Sequence, residues 1–425
     1  MSPAIITLCV LGVVALLFIT ELIPLAITSM GGSIALGLLG VISEKQIFSG
    51  LSNSTVVLFA GMFVIGAALF HTGMAQKIGE SVVRMAGTGE TRLMGGVMLV
   101  TIIMSAVLSN TGTAASLIPV VTGICAAAKL KGSRFLMPMA IAANVGGTLT
   151  MVGTPPNIIV TGALANAGLP TFGFFEFAWM GIPLSLVTIA FMLTVGKRLL
   201  PSHDLDAEVE VEQEVDPSTV NHSQTKQIIS LLILIGVVLT MVFSKQLGVS
   251  LTTAAVIGAL VAVLTGCMTE KQAYASIDWV TIFLFAGMMP IATALDKSGA
   301  GKLIADTVVG WLGDSPNPLV IAAVMYLLSN IMTQFMNNTA TAALLAPLGI
   351  SMAQSLHADP KAVLVAIAIA ASAAFATPVA TPPNTLVLGP GQYSFNDYLK
   401  VGIPLCIVGF VVSMIVIPIV WPFFP

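Results

Sequence analysis

Residues 152–157 read Val-Gly-Thr-Pro-Pro-Asn, and residues 379–384 read Val-Ala-Thr-Pro-Pro-Asn. Each stretch lies in the middle of a long apolar segment, where an unbroken membrane helix would be expected. Proline has no backbone N–H and cannot continue a helix interior without a kink. It also pushes the residue before it into extended backbone. The two copies therefore predict two membrane helices that are unwound at their centres.

An unwound segment at membrane depth has free backbone groups that can bind ions. We expect the freed carbonyls to be available to a cation, and the helix that restarts beyond the prolines to offer N–H groups and its positive end to an anion. Neighbouring Ser, Thr and Asn side chains would add neutral oxygens and amide donors.

The composition is that of a membrane protein. Of the 425 residues, 56% are hydrophobic and 8% are charged, whereas soluble proteins carry about 25% charged residues. Apolar runs of roughly 20 residues recur along the chain, which favours helices over the alternating strands of a barrel. The four cysteines have no metal or disulfide spacing, and no basic stripe indicates a nucleic-acid partner. The chain is predicted to be an all-α polytopic membrane protein whose apolar N-terminus is its first span.

We predict five spans in each half of the chain. In the first half they lie at about 4–20, 23–41, 54–74, 135–165 and 174–198. In the second half they lie at about 227–243, 249–266, 278–297, 361–390 and 402–422. Two further apolar regions, about 94–127 and 318–357, are interrupted by small polar residues, and we predict that each is a re-entrant helical hairpin with its tip at membrane depth.

The two halves repeat each other. Asn-Thr at 110–111 recurs at 338–339, and Pro-Pro-Asn at 155–157 recurs at 382–384, with offsets of 226 to 228 residues across the matched motifs. Because five spans is an odd number, the second half would enter the membrane from the opposite side. The sequence thus predicts two inverted repeats, each with five transmembrane spans plus one re-entrant hairpin, which is typical of secondary transporters.

The basic residues predict the orientation of the chain. Eleven of the 16 Lys and Arg residues would lie on one side and five on the other. The first side is then cytoplasmic, and both termini would face outside across the inner (plasma) membrane. Segment 201–226 holds seven of the 19 acidic residues, so we predict a disordered cytoplasmic linker between a first repeat at 1–200 and a second at 227–425.

The hairpin tips carry paired amides and hydroxyls in Asn110, Thr111, Asn338 and Thr339. Together these four side chains would suit an elongated anion with a carboxylate at each end, and they also suit the caps of the hairpin half-helices. Neither the tips nor the Thr-Pro-Pro-Asn stretches contain a titratable residue. Proton coupling usually needs a titratable relay. Sodium coupling through neutral oxygens is therefore favoured.

These motifs resemble the divalent anion:sodium symporter family of the ion transporter superfamily, over about 1–200 and 227–425. The motifs concerned are Ser-Asn-Thr at 109–111, Asn-Thr at 338–339 and the paired Thr-Pro-Pro-Asn stretches. The resemblance implies inverted repeats with an inward-opening and an outward-opening hairpin, and transport of dicarboxylates, citrate or sulfate with sodium. The family has Ser-Asn-Thr in both hairpins, whereas residues 337–339 here read Asn-Asn-Thr.

The resemblance also implies which residues bind the ions and the substrate. The first sodium site would use Ser105, Ser109, Asn110 and the backbone of Gly153. The second would use Thr333, the backbone of Met336, Asn338 and the backbone of Ala380. Substrate would lie between Asn110, Thr111, Asn338 and Thr339, with Thr154, Pro155, Thr381 and Pro382 alongside. A homodimer is a further implication of the resemblance.

The sequence thus predicts a sodium-coupled importer of a small divalent anion, with a four-carbon dicarboxylate as the favoured substrate. Its partners would be that anion, sodium and the lipid bilayer, with no cofactor. The hairpins would move against a scaffold made of the first three spans of each half. An oxyanion or metalloid exporter similar to the arsenite permeases, or a proton-coupled citrate carrier, is an open alternative. An enzyme is disfavoured because none of the four His residues lies near a predicted site.

Overall fold

A computed structural model describes residues 2–86, 89–202, 223–312 and 317–424. The acidic residues of the predicted linker, at 204–216, lie outside the described residues. Before residue 202 the helices are α1 (Pro3–Thr20), α2 (Leu25–Leu38), α3 (Glu44–Ile47), α4 (Ser54–His71), α5 (Met74–Ala86), α6 (Glu90–Ser105), α7 (Asn110–Ala128), α8 (Ser133–Gly146), α9 (Pro155–Asn166), α10 (Ala178–Phe191) and α11 (Lys197–Leu199). After residue 223 they are α12 (Gln224–Val242), α13 (Ser244–Leu247), α14 (Leu251–Leu264), α15 (Glu270–Ala275), α16 (Trp279–Lys297), α17 (Ala300–Leu312), α18 (Pro318–Thr333), α19 (Asn338–Ser355), α20 (Pro360–Ser372), α21 (Pro382–Leu388) and α22 (Phe395–Val420).

The fold is that of an all-α polytopic membrane protein, as predicted. Seven of the described helices are long and apolar enough to cross a membrane, and α2, α14, α18 and α20 are shorter apolar helices. Apart from the short α11 and α13, the helices after residue 223 follow the same order as those before residue 202. The inversion of the second half and the boundaries of the repeats remain predictions.

Among the described helices of more than ten residues, α5 and α17 were not predicted. In α5, charged residues such as Lys77 and Glu80 alternate with apolar ones over 13 residues, which is the pattern of an amphipathic helix. Such a pattern contains no unbroken apolar run of span length, which is the feature that predicts a membrane helix. In the structure α5 packs on α6 and α7, and α17 packs on α19 and α16.

The helices form two packed groups. α16 packs on α2, and α14 packs on α4 and α12, which assembles a scaffold group of α1, α2, α4, α12, α14 and α16. α8 packs on α6, and α20 packs on α18 and α19, which assembles a hairpin group of α6 to α10 and α18 to α22. The scaffold group coincides with the first three predicted spans of each half.

A small apolar cleft lies between the two groups, bounded by α9, α16 and α19. Its lining includes Ile159, Phe285, Met288 and Pro347. Across this boundary Asn166 Nδ2 donates a hydrogen bond to Thr293 Oγ1 at the long distance of 3.4 Å. The other residues that line the cleft are apolar, and van der Waals contacts depend little on direction.

A salt bridge joins the loop before α10 to the start of α20. Lys361 Nζ lies 2.9 Å from Glu176 Oε1, and Trp421 Nε1 donates to the same oxygen at 2.9 Å. Gly173 N donates to Glu176 Oε2 at 2.8 Å. Burial acts to raise the pKa of Glu176, but the hydrogen bonds from Gly173, Trp421 and Lys361, with the charge of Lys361, outweigh burial and hold the pKa below its ordinary value of 4.5.

This salt bridge is expected to make stability depend on pH in the acid range. A carboxyl whose pKa is lower in the folded state stabilises the protein above pH 4.5, and this stabilisation is lost as the pH falls through the folded pKa. In thermal unfolding in detergent, the Tm difference between the wild type and Glu176→Gln should therefore be largest near neutral pH and shrink below about pH 4. The matched control is Glu90→Gln, which breaks the more exposed pair with Arg134. A Tm difference that does not change with pH would contradict the prediction.

Candidate ion-binding and substrate site

Both Thr-Pro-Pro-Asn stretches are unwound, as predicted. α8 and α20 end several residues before the prolines, and α9 and α21 begin at the first proline of each pair. The threonine before the prolines is extended in both copies, with φ −144° and ψ 144° at Thr154 and φ −142° and ψ 147° at Thr381. This is the backbone conformation that a following proline favours.

The restarted helices α9 and α21 do not offer the N–H groups that the sequence led us to expect. Prolines occupy the first two positions of both helices, so two of the four free N–H groups of an ordinary helix start are missing. Asn157 N donates to Thr154 O at 3.2 Å, and Asn384 N donates to Thr381 O at 3.1 Å. The positive end of the helix dipole remains, but hydrogen bonds to an anion have to come from the hairpins.

The asparagine after the prolines pairs with the unwound backbone. Asn157 Nδ2 donates to Thr150 O at 2.8 Å. In the second copy, Asn384 Nδ2 donates to Thr377 O at 2.9 Å and to Ala374 O at 2.8 Å. An unpaired carbonyl at membrane depth is costly, which explains why both copies end in Asn. These carbonyls therefore each accept a hydrogen bond from the protein itself, which uses one of the two lone pairs of each oxygen.

The hairpin helices α7 and α19 begin with capped N-termini. Ser109 Oγ accepts a hydrogen bond from Gly112 N at 3.0 Å, and Asn337 Oδ1 accepts one from Thr339 N at 2.7 Å. The two caps have nearly the same backbone, with φ −63° and ψ 140° at Ser109 and φ −58° and ψ 137° at Asn337. Asn and Ser are equally good N-caps. The departure from Ser-Asn-Thr in the second hairpin is thus an exchange of one capping residue for another.

A first cluster of oxygen atoms forms between α6, the tip of α7 and α8. Ser105 Oγ lies 2.6 Å from Asn110 Oδ1 and 2.7 Å from Ala143 O. The opposite orientation of the Asn110 amide also fits: Nδ2 would then donate to Ser105 Oγ at 2.6 Å, Gly153 O at 3.1 Å and Ala143 O at 3.2 Å. With Asn110 Oδ1 turned inward, four oxygens converge, namely Ser105 Oγ, Asn110 Oδ1, Ala143 O and Gly153 O. The Ser105 hydroxyl is the one hydrogen-bond donor among these four groups.

A second cluster repeats this geometry between α18, the tip of α19 and α20. Thr333 Oγ1 lies 2.6 Å from Asn338 Oδ1 and 2.6 Å from Ala371 O. Here too a single hydroxyl hydrogen serves two acceptors. Neutral oxygens in excess over donors suit a hard cation, which takes oxygen ligands without requiring a charged side chain.

The structure brings together part of the predicted ligand set. Ser109 is not placed in the first cluster by its polar contacts, because its hydroxyl caps α7. Within the described ranges, no hydrogen bond joins Met336 or Ala380 to the second cluster, and both remain predicted ligands. The predicted ligands that do meet are Ser105, Asn110 and Gly153 in the first cluster, and Thr333 and Asn338 in the second.

Sequence reasoning missed the carbonyls of Ala143 and Ala371. Both belong to the last turn of a broken helix, and Ala143 O also accepts a hydrogen bond from Gly147 N. A backbone oxygen leaves no mark in the residue type, so only the helix ends could have indicated these ligands. Gly147 was also missed; a Cβ there would lie 2.6 Å from Asn110 Oδ1.

The predicted substrate contacts differ in exposure. Thr154, Thr339 and Thr381 are buried, Thr111 and Pro155 are half-buried, and Pro382 is exposed. α7 packs on α8 and α21, while α19 packs on α20 and α9. Each hairpin helix therefore contacts helices that flank both unwound segments.

Comparison with known proteins gives consistent matches. The family model described as citrate transporter (CitMHS) matches residues 15–362 and 335–423. An uncharacterised transporter of Haemophilus influenzae is 31% identical over 95% of this chain and 89% of its own length. The sodium-dependent dicarboxylate transporter SdcS of Staphylococcus aureus is 24% identical over 96% of this chain and 84% of its own. The YdaH transporter of Alcanivorax borkumensis shares the fold, with a TM-score of 0.68 at 16% identity over 99% of this chain and 98% of its own.

Proposed function

The chain belongs to the citrate transporter family, and we propose that it imports a small divalent anion, with a four-carbon dicarboxylate as the favoured substrate, in symport with sodium. The resemblance to the divalent anion:sodium symporters is confirmed by the family match and by the sodium-dependent dicarboxylate transporter among its relatives. Those relatives are transporters, so the chain is a multi-pass membrane transporter and not an enzyme.

The observation that carries the sodium proposal is the pair of matched oxygen clusters. Each contains a hydroxyl, a side-chain amide oxygen and a carbonyl from the end of a broken helix. No member of either cluster titrates in the physiological range, so a proton has no acceptor of suitable pKa there. A hard monovalent cation fits the same oxygens without a change of protonation.

The Asn110 amide offers a way to couple sodium to the anion. Without a cation, Nδ2 is stable facing inward, where it donates to Gly153 O and Ala143 O. A cation in the cluster requires Oδ1 to face it, and the amide then turns Nδ2 outward as a donor to the substrate. Sodium would thus create part of the anion site, and by linkage the anion would raise the affinity for sodium by the same factor.

The anion would be held by dipoles and neutral donors. Nδ2 of Asn110 and Asn338, the hydroxyls of Thr111 and Thr339, and the positive ends of α7 and α19 are the available groups. The bound cations would supply the compensating positive charge. Transport would follow from movement of the hairpin group along the apolar cleft against the scaffold group, which exposes the site to each side in turn.

Uptake into proteoliposomes tests this proposal. With inward sodium, accumulation of succinate or malate is expected to exceed accumulation with choline, and excess unlabelled dicarboxylate is expected to compete. Citrate is the second candidate, because the family description names it. Citrate uptake driven by a pH gradient and indifferent to sodium would replace the proposal with a proton-coupled carrier. Dicarboxylate uptake that is equal in choline and sodium would reject sodium coupling.

A further inference from the structure

Asn144 connects the two halves of the candidate site. It follows Ala143, whose carbonyl belongs to the first oxygen cluster. Its side chain crosses to the second unwound segment, where Nδ2 donates to Thr381 Oγ1 at 3.1 Å and to Asn384 Oδ1 at 3.1 Å. Asn144 is 1% exposed. The Ala143 carbonyl and the Asn144 side chain therefore join the first oxygen cluster to the unwound segment beside the second cluster.

The orientation of the Asn144 amide follows from its neighbours. Asn384 Nδ2 is engaged by the carbonyls of Ala374 and Thr377, so Asn384 presents its oxygen to Asn144. Only the nitrogen of Asn144 can pair with that oxygen. The bridge is a directed hydrogen bond between two buried side chains, and breaking it leaves Asn384 Oδ1 without its partner and Asn144 Nδ2 with Thr381 Oγ1 alone.

The equivalent residue in the second half does not make this connection. Ser372 follows Ala371, whose carbonyl belongs to the second cluster, but its hydroxyl donates to Ala368 O of its own helix at 2.9 Å. The acceptor that would match Asn384 Oδ1 is Asn157 Oδ1, which is buried and has no hydrogen-bond partner among the described residues. Of the equivalent residues Asn144 and Ser372, only Asn144 therefore links the two halves.

We propose that Asn144 is a positioning residue that makes sodium binding cooperative, so that filling one cluster raises the affinity of the other. This proposal rests on the proposed sodium coupling. A cation that binds the Ala143 carbonyl fixes the last turn of α8, and Asn144 transmits that position to Thr381, the residue after the predicted ligand Ala380. Coupling of this kind is reciprocal and commonly changes an affinity by about 5- to 150-fold.

The test is a sodium titration of dicarboxylate uptake by full-length protein in proteoliposomes. Asn144→Ser, which copies the residue at the equivalent position, is expected to lower the Hill coefficient for sodium from about 2 towards 1 and to raise the half-saturating sodium concentration by about 5-fold or more. The maximal uptake rate at saturating sodium should change by a smaller factor than the half-saturating sodium concentration does. A purely structural loss would lower the maximal rate without changing the Hill coefficient.

Ser372→Asn supplies the matched second variant. By the repeat geometry, its amide would reach the free Asn157 Oδ1 and create the missing link. The double variant Asn144→Ser with Ser372→Asn is expected to recover cooperativity that Asn144→Ser alone loses, and a merely damaged protein would not recover. If Asn144→Ser fails to fold, Ser372→Asn decides the question, because the proposal requires it to lower the half-saturating sodium concentration.

The outcomes separate this proposal from the proposed function. Wild-type uptake that is indifferent to sodium would overturn both. Cooperative wild-type uptake that Asn144→Ser leaves unchanged would overturn the role of Asn144 alone. Loss of cooperativity in Asn144→Ser together with recovery in the double variant would establish it.

Discussion

Gly147→Ala is expected to raise the sodium concentration for half-maximal uptake by about 10- to 100-fold, which corresponds to about 1–3 kcal/mol of overpacking. A Cβ at this position would lie 2.6 Å from Asn110 Oδ1, 3.0 Å from Gly153 O and 3.0 Å from Thr154 Cβ. Two of these three atoms are oxygens of the first cluster. The methyl group would therefore occupy the space in which those oxygens converge, and sodium titration of uptake measures the effect.

The control for this variant is Gly66→Ala in α4. A Cβ at Gly66 meets nothing within 4 Å, so sodium dependence is expected to stay at the wild-type level. Thermal unfolding in detergent should show both variants folded. Wild-type half-saturation in Gly147→Ala would mean that the first cluster is not a cation site, even if uptake itself needs sodium.

Asn384→Ala is expected to lower the free energy of unfolding by about 3–5 kcal/mol. The change leaves the buried carbonyls of Ala374 and Thr377 without these partners, and Asn144 Nδ2 keeps only its hydrogen bond to Thr381 Oγ1. Each such group costs about 1–3 kcal/mol. Denaturant unfolding of the purified protein in detergent measures the effect.

Asn157→Ala is expected to lower the free energy of unfolding by less than Asn384→Ala does, at about 2–3 kcal/mol. Asn157 makes one short bond, to Thr150 O at 2.8 Å, and a long one of 3.4 Å to Gly147 O. Its own oxygen has no partner to lose within the described part of the chain. Asn166→Ala, which removes only an exposed 3.4 Å contact, should change stability by under about 0.5 kcal/mol. A larger loss in Asn157→Ala than in Asn384→Ala would contradict the contacts on which this ranking rests.

The sequence allowed prediction of the features that depend on local chemistry. Paired prolines break a helix in any surroundings, so both unwound segments were predictable, as was the resemblance carried by Asn110 and Asn338. The prediction that the restarted helices offer N–H groups to an anion was wrong. The sequence alone was enough to exclude it, because Pro155 and Pro156 have no backbone N–H.

Other features depend on where distant segments meet. Nothing in the residue type marks the carbonyl of Ala143 as part of an oxygen cluster, and Asn144 is an ordinary residue of α8 until the second half lies beside it. The exchange of Ser for Asn337 could be interpreted only once its backbone was known to match that of Ser109. The partners of Asn144 lie about 240 residues away in the sequence, so only the tertiary structure identifies them.

The paired prolines also prevent the unwound segment at residues 147–156 from forming a continuous helix. An apolar stretch in lipid is most stable as a continuous helix, because such a helix satisfies its own backbone. Through residues 147–156 that helix would need the carbonyls of Met151 and Val152 to accept from the N–H groups of residues 155 and 156, which are prolines. If the chain transports as proposed, the empty carrier would therefore not rewind this loop, and each new transport cycle would begin without the cost of melting a helix.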